Sequence, residues 1–109
     1  KYLFDIIDAI NAIENFIRET KEYSSFVSSR LLTSAVEREL QVIGEALTRI
    51  EKVNPSLSIS EIKKIKAPRN IIVHDYDGIN YRILWDIIIN HLPILKQEIE
   101  IILKNQASE

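Results

Sequence analysis

The sequence contains no cysteine, which excludes a disulfide framework, a thiolate metal site and a thiol nucleophile together. Its two histidines, His74 and His91, are too few and too far apart for a histidine-rich metal cage. Neither a metal nor a cofactor is expected. Two glycines and three prolines leave little turn chemistry, which favours long uninterrupted elements over many short strands. Long apolar runs are missing too. The longest, such as Ile87-Ile88-Ile89, are far too short to cross a bilayer, and the start of the chain does not read as a cationic and apolar leader. A cytoplasmic protein that does not enter membranes is the expectation, and the lack of methionine suggests that the sequence begins after its initiator. An excess of positive charge is also absent: the formal net charge is -2 and the isoelectric point is near 5.7. That argues against coating nucleic acid through a global positive field but leaves room for a local basic site.

What remains is an ordinary globular composition, 46% hydrophobic and 28% charged, well above the apolar content at which disorder becomes the expectation. A chain of 109 residues suits one core and not two. One domain over residues 1–109 is expected, with 105–109 as a frayed tail.

Apolar residues recur at helical spacing. Leu3, Ile6, Ile7, Ile10, Ile13 and Ile17 form one stripe and predict a helix from about Tyr2 to Lys21, with Lys21 to Ser25 as a connecting turn. A longer pattern follows at Leu32, Val36, Leu40, Ile43, Leu47 and Ile50, close to a heptad seam. A second stripe on the same cylinder, Leu31, Ala35, Val42 and Ala46, implies a central helix or one that also meets a second subunit. Asn54-Pro55 stops this helix. Ser60 can cap a short turn ending near Pro68, and Pro68 can open a short helix through Asp75. Asp77-Gly78 signals a turn, and Asn80 can cap a last helix from Tyr81 to about Lys104. Its stripe is Leu84, Ile87, Ile88, Leu92, Leu95, Ile99 and Ile102, and Pro93 should kink it. The fold class is therefore all-α: an up-and-down bundle of three long and one or two short helices.

Chemistry concentrates between residues 63 and 76. Lys63, Lys64, Lys66 and Arg69 form a positive stretch without an acid, and it abuts Arg69-Asn70-Ile71-Ile72-Val73-His74-Asp75-Tyr76. On a helical wheel with Arg69 at zero and about 100° per residue, Asn70 falls near 100°, His74 near 140° and Tyr76 near 340°. These four share one arc, and Asn70 and His74 are i, i+4 neighbours. A cation, an amide, an imidazole and a phenol suit phosphate chemistry. The guanidinium can grip a phosphate, and an imidazole can take or give a proton at neutral pH. The same residues also allow a purely structural account, with Arg69 paired to Asp75 or Asp77, His74 satisfied between helices and Tyr76 capping the core. His91 and Trp85 read as packing residues, and Glu37 and Arg38 as solvated charges on a helix. Gly44 suits a close helix approach, and Glu45 points away from the main seam.

The spacing of Arg69, His74 and Tyr76, with Asn70 after the arginine, resembles the signature of the HEPN superfamily, and in particular its HepT toxin branch. Ala35-Val36-Glu37-Arg38, Ile43-Gly44-Glu45-Ala46 and Leu92-Pro93 are similar to that branch as well, so the resemblance runs from about Tyr2 to Leu103. It implies an all-helical ribonuclease toxin that works as a homodimer. Its antitoxin would be a minimal nucleotidyltransferase that moves AMP from ATP onto Tyr76. Arg69 and His74 would be catalytic, Asn70 would support them, and Lys63, Lys64 and Lys66 would lead RNA toward the cleft. The alternative is a non-catalytic HEPN module that binds nucleotide or docks a nucleotidyltransferase.

Overall fold

The computed structural model describes residues 1–18, 21–57, 59, 65 and 80–107. Among them there is no strand, and the fold is an all-α bundle. Helix α1 spans Tyr2–Ile17 and buries Leu3, Ile6, Ile10, Ile13 and Ile17 along one face. It stops four residues short of the expected end because the apolar stripe stops at Ile17: beyond it Arg18 and Lys21 are exposed and offer nothing to bury. The Arg18 N–H turns back to the Asn15 carbonyl at 3.4 Å, tightening the last turn.

The expected turn over residues 21–25 is partly a helix. α2 spans Tyr23–Ser28 and is organised by Phe26, which is fully buried. Ser29 then caps α3, Arg30–Val53, its side chain accepting from the Leu32 N–H at 3.1 Å. Val36, Leu40, Ile43, Leu47 and Ile50 face the core as their spacing predicts, with Gly44 buried beside them. The second stripe divides. Ala46 is buried, Ala35 and Val42 are half-buried, and Leu31 is 85% exposed. Asn54 ends the helix before Pro55 as expected.

Asn80 caps α4, Tyr81–Asp86, its side-chain oxygen accepting from the Arg82 and Ile83 N–H groups at 3.1 and 3.2 Å. A π-helical turn, Ile87–His91, joins α4 to α5, Leu92–Ala107. The Leu92 N–H reaches back to the Ile87 carbonyl, one residue further than in an α-helix. Pro93 has no N–H to return to Ile89, and its ring would crowd that carbonyl in a regular helix. The register shift falls directly before this proline, so the irregularity expected at Pro93 takes the form of a widened turn. Asp86 spans that turn, accepting from Asn90 Nδ2 at 2.7 Å and lying 3.2 Å from His91 Nε2. α5 continues to Ala107, three residues past the expected end.

α1 packs chiefly on α3, α5 covers α1, and α2 bridges α3 and α4. Ile59 and Ile65, from the connection between α3 and α4, are buried in the same core. A 2.8 Å ion pair between Lys96 and Glu14 ties α5 to α1 at the surface. Among the described residues, no helix is long and apolar enough to cross a membrane.

Candidate functional site

The residues singled out for chemistry, Arg69, Asn70, His74 and Tyr76, together with the lysines expected to lead RNA, Lys63, Lys64 and Lys66, lie outside the described residues. So do the short helices expected around Ser60 and Pro68 and the turn at Asp77-Gly78. The structure describes what receives the chain after that segment, namely α4 and its packing on α2 and α3.

Two kinds of interaction hold α4. The first is aromatic. Phe26 stacks on Trp85 with ring centroids 5.2 Å apart and meets Tyr81 edge-on at 6.3 Å, while Tyr23 meets Trp85 edge-on at 6.3 Å. The Arg82 guanidinium lies 4.3 Å from the centre of the Tyr23 ring. Such ring pairs are worth about 0.5–1.5 kcal/mol each beyond their buried area, and a cation over a ring adds about 0.5–1 kcal/mol at an exposed site. The reading of Trp85 as a packing residue is consistent with this cluster.

The second is polar. Arg30, Thr33 and Glu37 step along one face of α3 at i, i+3 and i+7, and Tyr81 reaches them from the first turn of α4. The Tyr81 hydroxyl donates to the Glu37 carboxylate. Burial raises the Glu37 carboxyl above its ordinary pKa, and the Tyr81 bond pulls it part of the way back. The Tyr81 phenol is also raised, first by burial and then by the charge and hydrogen bond of Glu37; a bond from Thr33 and the positive charge of Arg30 act in the opposite direction. The second carboxylate oxygen of Glu37, Oε1, is buried without a hydrogen-bond partner. A buried unsatisfied polar atom costs about 1–3 kcal/mol, and more if it carries charge. Glu37 is therefore not the solvated charge that its place on the helix suggests. Its exposed neighbour Arg38 is. Sequence reasoning missed the pair because Glu37 sits at the edge of the buried face and its partner is distant in sequence.

The other weighed residues are ordinary in their settings. His91 is half-buried beside Asp86, Glu45 is exposed, as its position away from the main seam implies, and Gly44 accepts from Thr48 Oγ1 at 2.9 Å. A groove of about 390 Å³ between α1 and the π turn has an isoleucine floor and carries Arg18 and Lys21 at its rim.

Comparison with known proteins covers nearly the whole chain. A family described as Ribonuclease HepT-like matches residues 6–102. Putative RNase MJ1380 of Methanocaldococcus jannaschii is 32% identical over 102 residues, 93% of each chain. Putative RNase MJ0127 of the same organism is 34% identical over 110 residues, covering 99% of this chain and 89% of its own. Probable ribonuclease HepT of Thermococcus cleftensis is 33% identical over 103 residues, covering 91% of this chain and 90% of its own. No solved structure matches. With a family match across most of its length and relatives at this identity spanning almost all of it, the chain belongs to the HepT-like ribonuclease family.

Proposed function

We propose that this protein is a metal-independent endoribonuclease toxin that cuts RNA in a cleft between two protomers and is neutralised when a nucleotidyltransferase antitoxin places AMP on Tyr76. The observation that carries the reading is the coincidence of a family match over residues 6–102 with a complete Arg69, Asn70, His74 and Tyr76 pattern inside that span.

RNA carries its own nucleophile. The 2′-oxygen attacks the adjacent phosphorus in line, the bond from phosphorus to the 5′-oxygen breaks, and a 2′,3′-cyclic phosphate and a free 5′-hydroxyl result. A base must take the 2′ proton, an acid must protonate the leaving 5′-oxygen, and cations must stabilise the charge on the phosphoryl oxygens. One His74 per protomer supplies half of that proton traffic. A twofold dimer brings two His74 and two Arg69 into one cleft and completes it, with Asn70 orienting the imidazole from one helical turn away. Lys63, Lys64 and Lys66 lead the RNA backbone inward, a contribution that weakens with salt. The exposed Ile94 and Ile101, two turns apart on α5, offer one apolar face for the second copy; the exposed Leu31, at the start of the second stripe on α3, offers another.

AMP on Tyr76 adds a phosphate on the same arc as Arg69, which occupies the cation that RNA needs. The test is cleavage of labelled RNA by three preparations checked by intact mass: the unmodified protein, His74→Ala and protein bearing AMP on Tyr76. The unmodified protein should cut, His74→Ala should be slower by about 10²–10⁴-fold, the range for losing a general acid or base, and the AMP-bearing form should bind and cut RNA measurably less well than the unmodified protein. Equal binding and cutting by the AMP-bearing form would contradict the neutralisation step. No cutting by an unmodified dimer would favour a non-catalytic module that docks a nucleotidyltransferase.

A further inference from the structure

A few residues after the Arg69 to Tyr76 pattern in the sequence, Asn80 and Tyr81 open a described helix, α4. That start is unusually well specified. Asn80 caps the first turn, the Tyr81 ring is braced by Phe26, and its hydroxyl reaches across to Glu37 on the longest helix. Aromatic packing alone would seat α4. The Tyr81 hydroxyl satisfies only part of the Glu37 carboxylate, whose other oxygen, Oε1, stays buried without a partner. Replacing a buried polar pair by apolar or neutral groups is often neutral or stabilising. A carboxylate held in that setting points to a role other than stability.

We propose that Glu37 and Tyr81 are a positioning pair for RNA cleavage, fixing the start of α4 against α3 so that the chain carrying His74 and Tyr76 enters the cleft from a rigid point. This rests on the ribonuclease reading above. Neither residue touches RNA; both act through the segment that precedes α4.

The test combines Glu37→Gln, Tyr81→Phe and the double variant in the full-length protein, unmodified at Tyr76. Three quantities are read: the melting temperature, the kcat and KM for RNA cleavage, and amide exchange at Ile83 and Leu84, whose N–H groups return to the Asn80 carbonyl. Glu37→Gln should melt at or above the parent temperature and Tyr81→Phe somewhat below it, because the phenylalanine leaves the carboxylate without its donor; both should keep their KM, with kcat lowered about tenfold, more than the small change in folded fraction explains. The double variant should be no worse than either single, the signature of one coupled unit. Exchange at Ile83 and Leu84 should quicken about tenfold while that of α1 is unchanged. Parent-like kcat in both single variants would overturn the proposal, as would a loss of activity that merely follows a lower melting temperature. Unchanged exchange at Ile83 and Leu84 would overturn it whatever the activity. A folded, unmodified parent that cuts no RNA would instead overturn the ribonuclease reading and the catalytic part of this one, while exchange still reports on the positioning part alone.

Discussion

Phe26 is the residue on which the seating of α4 most depends. It is fully buried, and it touches both Trp85 and Tyr81 through its ring. An aromatic side chain buries about 150–250 Å², which at about 25 cal/mol per Å² corresponds to about 4–6 kcal/mol as an upper bound. Measured Phe→Ala changes in cores cost about 3–5 kcal/mol, and two ring contacts place Phe26→Ala toward the upper part of that range. For a domain whose total stability is about 5–15 kcal/mol this is a large share. At about 4–8 °C per kcal/mol, the melting temperature should fall by at least about 15 °C. The assay is urea unfolding followed by far-ultraviolet circular dichroism, with Phe4→Ala as the comparison, since Phe4 is 59% exposed and should lose no more than about 0.5 kcal/mol. A Phe26→Ala loss no greater than that of Phe4→Ala would mean that α2 does not hold α4.

Glu37→Gln should show a pH signature. An acid whose pKa is raised in the folded chain contributes most favourably below its ordinary value of 4.5, and that contribution is lost as pH rises through the folded value. With the Tyr81 hydroxyl facing it, Glu37 should make the parent progressively less stable relative to Glu37→Gln as pH rises above 4.5, as unfolding in urea at each pH would read; a flat difference would contradict its burial. Asn80→Ala should cost about 0.5–2 kcal/mol in the same experiment, and Asn80→Asp much less, because the carboxylate can cap the same N–H groups. Lys96→Met breaks the pair with Glu14, whose side chains are 29% and 52% exposed, and should cost only about 0.2–1 kcal/mol, less at high salt.

How much of this was legible in the sequence depended on scale. α1, α3 and the last helix announced themselves because Ile and Leu at steps of three and four leave one solution for burying an apolar face. α2 did not, since Tyr23-Ser24-Ser25-Phe26-Val27-Ser28 is shorter than two turns and rich in serine; burial of Phe26 makes it a helix, and propensity does not. Pro93 marked where the last helix would be irregular, but the choice of a π turn reflects how Ile87, Ile88 and Leu92 all remain buried around it. Glu37 was misread because helix position reports which face a side chain occupies, whereas its partner arrives from a helix far along the chain. The candidate site itself was legible only through the pattern from Arg69 to Tyr76 and its family likeness. Periodicity alone left the structural and catalytic accounts of those residues open.

The most direct test of the central claim is the chemistry of the cut. End-labelled RNA is incubated in excess EDTA with the purified protein, unmodified at Tyr76 by intact mass, and with His74→Ala alongside. Cleavage by the parent alone, leaving 2′,3′-cyclic phosphate and 5′-hydroxyl ends, is the predicted result. Cleavage that EDTA abolishes, or that His74→Ala retains at the parent rate, would contradict the account.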